Sequence, residues 1–331
     1  MPLQYQGVIA EHTAVRTAAG LFDVSHLGKL IVKGAGAEAA LDRLLPGKVA
    51  ALGQFRAGYN LVLNEKGGIV DDVFVYRHPE MFIVIPNASN SDEVKGIFEE
   101  RFGGDVTVEE GRERWAIIAF SGPKARDSLK EIAPEAATLK LHSFAETRVA
   151  GMEVLAARTG YTGEYTCEIL CSWEDAPRIW DTLTQAGAEA GVVPAGLGSR
   201  DTLRLEMGYP LHGLDISPDT DPIEAGLGWV IQWDKQFDAK QALEELRDSG
   251  TRRLVGLEMQ GRDIPRAHYE VQSEGRKVGE VTSGNFSPVL RKGIAMAYVE
   301  SGLAEPGTML AIDVRGRQAP AEVTNTPFIR K

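Results

Sequence analysis

A chain of 331 residues exceeds the length at which one core usually stops growing, so two or three domains are expected. Its 36 Lys and Arg against 47 Asp and Glu leave a net charge of −11, which argues against a general nucleic-acid binder with a phosphate-neutralising face. No apolar run approaches the roughly 20 residues that cross a bilayer, and the start, MPLQYQGVIAEH, shows no secretory pattern; neither membrane nor nucleic acid is expected as a partner, and cytoplasm is the default location.

In chain order, KLIVKG, YNLVLN, DDVFVYR and MFIVIPN are short β-rich runs, and Asn64-Glu65-Lys66-Gly67-Gly68 between the second and third reads as a hairpin loop. The recurrence of Val94, Ile97, Phe98 and Phe102 predicts a helix over about 92–102, capped by Ser91 or Asp92. Trp115 to Phe120 and Val149 to Ala157 read as strands, and Ile179, Trp180, Leu183 and Ala186 as the apolar stripe of a helix after Asp175. Gln236 to Thr251 is charged and reads as a helical connector. From Arg253 the texture changes: LVGLEM, YEVQSEG, RKVGEVTSG, GIAMAYVE, TMLAIDVRG and AEVTNTPF predict a small antiparallel barrel or sandwich. The mixture lacks regular βαβα alternation, which places the chain in the α+β class with mainly antiparallel sheets.

Cys167 and Cys171 are the only cysteines. On a strand TCEILCSW they stand roughly 13 Å apart, too far for a disulfide, so they read as small apolar residues. The six histidines show no i, i+4 pair, and no metal site is expected. Asp23, Ser25 and His26 have the residue types of a catalytic triad, but strand neighbours point to opposite faces and cannot form one locally. Asp215 to Asp221 lacks the calcium-loop pattern and reads as a polar loop.

Three segments offer chemistry. Asp71 and Asp72 open an apolar strand, where alternation sends them to opposite faces, one toward solvent and the other onto the side of Phe74 and Tyr76. A carboxylate among aromatics steers a developing cation; equally, two acids end a hairpin turn, and the residues alone favour the turn. Glu168 follows Thr159-Gly160-Tyr161-Thr162-Gly163-Glu164, and it either faces inward toward a ligand with two adjacent N–H donors or faces solvent. Gly196-Leu197-Gly198 opens a helix carrying Arg200 and Arg204 one turn apart, so one arginine is free to serve a ligand while the other pairs with Asp201 or Glu206.

The order and wording of EHTAVRTAAGLFDVSH, NEKGGIVDD, GYTGE followed by Glu168, GLGSRDTLRLEMG, DIPR, GEVTSGNFSPVL and the terminal PF resemble the glycine cleavage T-protein family along nearly the whole chain. The resemblance implies a three-domain cloverleaf of mainly antiparallel sheets with packed helices and a C-terminal all-β barrel. Residues 1–29 with 114–235 would form one discontinuous domain, 30–113 a second, 236–252 a connector and 253–331 the barrel. It implies tetrahydrofolate as co-substrate and a lipoylated H-protein as transient partner, the aminomethyl carbon passing between them with release of ammonia. Carried over by motif, Asp72 is the catalytic acid near the reactive folate nitrogens, Glu168 grips the pterin, Arg200 is a second substrate contact and Asn87 lines the pocket. Tyr59, Tyr76, Tyr161 and Tyr209 match weaker pocket positions, and Phe74 is taken with them as cofactor-binding.

Departures accompany the likeness. Family members usually carry a longer N-terminal segment than precedes these motifs here, which bears on access for the lipoyl arm. Tyr165 and Thr166 replace an acid and a glycine, and His268 replaces a glycine after DIPR, changes that would reshape the pocket or alter the donor. The alternatives are a folate-dependent demethylase of a small methylated donor and a non-catalytic folate-binding protein; the latter's Lys-Gly-Cys-Tyr-type signature does not occur.

Overall fold

The β-branched and aromatic runs read from the sequence become strands because each can bury one pleated face. A computed structural model describes residues 1–247 and 250–330. In chain order its main elements begin with α1 (Val8–Thr17), β1 (Ala19–Asp23), β2 (Leu30–Lys33), α2 (Ala37–Leu44), β3 (Arg56–Leu63), β4 (Ile69–Arg77) and β5 (Phe82–Ile85). There follow α3 (Ser91–Arg101), β6 (Thr107–Glu110), β7 (Trp115–Ser121), α4 (Ala125–Ile132), α5 (Pro134–Thr138), β8 (Phe144–Val149), β9 (Met152–Ala157) and β10 (Thr166–Ser172). Then come α6 (Ala176–Ala186), β11 (Val192–Pro194), α7 (Leu197–Glu206) and α8 (Lys240–Leu246). The last six strands are β12 (Arg252–Met259), β13 (Glu270–Ser273), β14 (Arg276–Ser287), β15 (Lys292–Glu300), β16 (Met309–Val314) and β17 (Arg317–Thr324).

The chain divides into two compact units. The first, residues 1–63, 70–200 and 232–238, holds two sheets. One has the order β11-β1-β7-β10-β9-β8 and buries Ile118, Phe120, Ile169 and Cys171 against Leu129 of α4 and Ile179 and Leu183 of α6. The other has the order β3-β4-β5-β2-β6 and packs Val73, Val75 and Val84 against Leu41 of α2 and Val94 and Phe98 of α3. A smaller cluster of Ala57, Tyr76, Ile83, Phe144 and Ala157 joins residues of both sheets. The pairs of β2 with β5 and β6, β4 with β5, β7 with β10 and β8 with β9 are antiparallel; β1 with β11 is parallel.

The second unit, residues 64–69, 201–231 and 239–331, contains the closed barrel β12-β15-β14-β13-β16-β17 around Leu257, Val271, Val281, Val299 and Ile312. The class expected from the sequence is therefore the one observed: α+β, mainly antiparallel sheets with packed helices, and an all-β barrel at the C-terminal end.

Several local readings need correction. The segment from Val149 to Ala157 is not one strand; β8 ends at Val149, Ala150 and Gly151 turn the chain with positive φ of 47° and 85°, and β9 returns. Neither Ser91 nor Asp92 caps α3: the cap is Asn90, which makes no side-chain cap bond; its nitrogen donates to Val70 and Asp71 and its oxygen accepts from Ser89 Oγ at 3.1 Å. Among the described residues of the connector, only Lys240–Leu246 is helical; Asp248 and Ser249 lie outside the described residues, as does Lys331 at the end of the expected barrel domain. Ser25 and His26 lie past the end of β1, and Ser25 is spent on the backbone of Ile117, accepting its N–H at 3.0 Å. Asp215 begins the acidic loop yet is fully buried, held by Arg204. Cys167 and Cys171 sit in an apolar core as free thiols.

Candidate active site

Strand β4 presents Asp72, Phe74 and Tyr76 along one side at the period of two that a pleated strand imposes. Val73 and Val75, between them, enter the helix-covered core. The half-buried Asp72 carboxylate accepts a hydrogen bond from the Tyr59 hydroxyl at 3.2 Å and from Asn87 Nδ2 at 2.8 Å. Tyr59 meets Phe74 edge to face at 5.8 Å between centroids, and Phe74 leads on to Tyr76 at 6.3 Å.

Tyr76 is 2% exposed. Its hydroxyl lies 2.9 Å from Thr159 Oγ1 and 3.4 Å from Glu168 Oε2, and its one hydrogen is donated to either. Thr159 donates to the same Glu168 oxygen, and Glu168 Oε1 has no protein partner among the described residues. Glu168 is held on β10, whose antiparallel register with β7 and β9 sets it opposite Ala119 and Ala157. These methyl-sized neighbours leave room beside the carboxylate.

Arg200 stands within the field of Glu168. Its guanidinium lies over the Tyr161 ring at 4.9 Å and donates no hydrogen bond among the described residues. Desolvation lowers its pKa, while the charges of Glu168 and then Tyr161 act the other way. The Tyr59 phenol is pushed well up, chiefly by burial and then by the charge of Asp72, with Tyr161 also contributing. Tyr76 is pushed up by burial and then by Glu168. Both phenols stay protonated hydrogen-bond donors.

The expected residues Tyr59, Asp72, Phe74, Tyr76, Asn87, Tyr161, Glu168 and Arg200 thus form one ring of mutual contacts and fields within the first unit. Tyr209 is different: it belongs to the second unit, where its carbonyl accepts from Arg204 Nη1 at 3.1 Å. Of the two arginines, Arg204 is the one that pairs, with Asp201 at 2.7 Å and Asp215 at 2.8 Å.

Sequence reasoning missed Asp71, Asn90 and Thr159. The acid expected to face solvent does not: Asp71 is fully buried and accepts from Asn87 and Asn90. Nothing local singled out Asn90, which precedes a helix whose cap the sequence placed at Ser91 or Asp92. For Thr159 the sequence offered its position at the head of the Gly-Tyr-Thr-Gly-Glu turn. Among the described residues no His, Cys, Asp and Glu cluster suits a metal, and no helix is long and apolar enough to cross a membrane.

The family model of the GCVT N-terminal domain matches residues 1–235, and that of the glycine cleavage T-protein C-terminal barrel domain matches residues 252–329. An aminomethyltransferase of Streptomyces avermitilis is 45% identical, the match covering 100% of this chain and 92% of that protein. One from Halothermothrix orenii is 40% identical over 99% of this chain and 93% of its own length. The crystal structure of the glycine cleavage system aminomethyltransferase T from Bartonella henselae superposes with a TM-score of 0.92 at 34% identity, covering 99% of this chain and 91% of that one. The fold and these likenesses define an enzyme of the transferase class. The chain belongs to the glycine cleavage T-protein family, whose curated relatives carry the name aminomethyltransferase.

Proposed function

We propose that this enzyme transfers the one-carbon unit of an aminomethyl-lipoyl H-protein to tetrahydrofolate, releasing ammonia, in the cytoplasm. The observation that carries the reading is the ring of side chains in which Asp72 and Glu168 stand at two ends of one aromatic wall, bridged by Phe74 and Tyr76. Along a strand, residues four apart are separated by about 13 Å, a span suited to a bicyclic pterin and its adjoining nitrogens.

The residues fit such a co-substrate. Glu168 has one oxygen engaged by Tyr76 and Thr159 and the other available, so it can accept from the exocyclic amine and adjacent ring N–H of the pterin. Arg200 brings donors that the protein itself leaves unused. Tyr59, Phe74 and Tyr161 would line the wall.

In the reaction, the carbon loses its bonds to sulfur and to the amine and gains bonds to N5 and N10 of the folate. The two protons displaced from those nitrogens leave on the thiol and on ammonia, and no electrons are exchanged. The intermediate carbon is iminium-like. Asp72, held by hydrogen bonds from Tyr59 and Asn87, stabilises that charge at a fixed position, where no solvent reorganisation is required. Holding the nitrogen against the donor carbon supplies the remaining advantage through proximity.

The test is reconstitution with lipoylated H-protein and tetrahydrofolate, following ammonia and methylene-tetrahydrofolate together, with small dimethylated donors run in parallel. Product from the H-protein donor is expected. Turnover confined to the methylated donors would replace this reading with a demethylase.

A further inference from the structure

The proposed catalytic acid has a neighbour whose environment is the more unusual of the two. Asp71 is a carboxylate with no exposed surface, an expensive group to bury. Its Oδ2 accepts the backbone N–H of Asn87 at 2.9 Å, and its Oδ1 accepts Nδ2 of both Asn87 and Asn90 at 2.8 Å. Asn90 is anchored in turn on the carbonyl of Val70 at 3.3 Å.

The same Asn87 nitrogen also donates to Asp72 Oδ1 at 2.8 Å. An amide has two N–H hydrogens, and these contacts use both. The identity of that atom is fixed by chemistry: it faces Asp71 Oδ1, Asp72 Oδ1 and the Asp72 carbonyl at 3.3 Å, all acceptors, so an oxygen there would be repelled three times. The carbonyl end of Asn87 therefore points away from both acids and has no protein partner among the described residues.

We propose that Asp71 is a positioning residue for the reaction. It locks the Asn87 amide so that its nitrogen holds Asp72 in place and its oxygen is available to an N–H of the bound co-substrate. This rests on the assignment of Asp72 as the catalytic acid.

Substituting Asp71→Asn separates the roles. An asparagine supplies one acceptor end and one donor end. Whichever way it turns, its NH2 confronts either the Asn87 backbone N–H or the two side-chain amides, so the lock cannot close. Turnover should fall at least about tenfold, with the KM for tetrahydrofolate changing less than about threefold and the circular dichroism spectrum preserved. In an Asp72→Asn background the same change should cost less than about threefold more, because its target is already gone.

Equal losses in both backgrounds, or wild-type turnover, would overturn the proposal. If Asp71→Asn does not fold, Asn90→Ala decides in its place. It removes one of the donors to Asp71 and should give the same background-dependent pattern with a loss of about threefold; an equal loss in both backgrounds would be fatal. Full activity of Asp72→Asn alone would instead sink the underlying assignment of the catalytic acid.

Discussion

Two arginines one turn apart on α7 mark two kinds of polar site. Arg204 is 1% exposed and uses its whole fork: Nε and Nη2 on Asp201, Nη1 on Asp215 and the Tyr209 carbonyl, Nη2 again on Ser283. Asp215 is saturated as well, accepting from Thr282, Ser283 and the backbone N–H of Leu211. Arg200, by contrast, rests on an aromatic face with its donors unspent, and Glu168 and Asn87 each keep an acceptor oxygen without a protein partner. The residue types are alike in the two regions; the difference is spare hydrogen-bonding capacity. A saturated network specifies a fold, and an unsaturated one waits for a ligand.

That contrast can be broken most directly by exchanging each arginine for an apolar residue. Arg204→Met leaves Asp215 buried and unpaired and should cost about 3–5 kcal/mol of stability, measured by urea unfolding. Arg200→Met should move stability by no more than about 0.5 kcal/mol while weakening tetrahydrofolate binding. Similar stability losses in the two variants would abolish the distinction.

On the ligand-facing side, Asp72→Asn should fold and bind folate yet lose about 10²–10³ in kcat; near-normal ammonia release would remove Asp72 from the chemistry. Glu168→Gln should act mainly on affinity, raising the tetrahydrofolate KM about tenfold or more through loss of a charged acceptor, with a smaller change in kcat. A large kcat loss at constant KM would contradict its role as a binding group.

Lys29 extends the comparison to a fully buried amine. Its Nζ donates to the carbonyls of Ser25 and Leu27 at 2.6 and 2.9 Å, and burial, only partly offset by Glu110 and Asp23, lowers its pKa to about 8. Because the folded pKa lies below the unfolded one, the charge penalises the fold below about pH 8 and is relieved as pH rises toward the unfolded value. Stability relative to a Lys29→Met variant should therefore increase through that window, by at most about 1.4 kcal/mol per pH unit. A flat difference would mean that this amine titrates normally.

Much of the fold was legible where local pattern suffices. The four N-terminal β-rich runs, the stripe of α3 and the six barrel strands follow from alternation and glycine punctuation. The helices α1 and α2 and the strand β1 were missed; α1 has a polar face mixed with buried Glu11 and His12, which blurs its periodicity. Glu11 is buried because it accepts the N–H groups of Gln6, Gly7 and Gly196, partners up to 185 residues away. The site was legible chiefly through family resemblance. Alternation separated Asp71 from Asp72 but could not tell what covers each face, and Asn87 and Asn90, which bury Asp71, come from the turn before α3. That one of the two arginines pairs with a nearby acid was legible because Asp201 lies three residues from Arg204; which arginine pairs was left open by the residues alone.

The placement of the two cysteines bears on the donor proposed above. Cys167 and Cys171 are enclosed by the α4 and α6 side of their sheet, and burial pushes their thiols up to about 12 and about 11, so at neutral pH neither supplies the thiolate that exchange with a disulfide requires. A protein that receives its carbon from a dithiol arm would thus be immune to capture as a mixed disulfide by its own client. Treating the enzyme alone with a thiol-alkylating reagent, removed before assay, should leave its turnover unchanged.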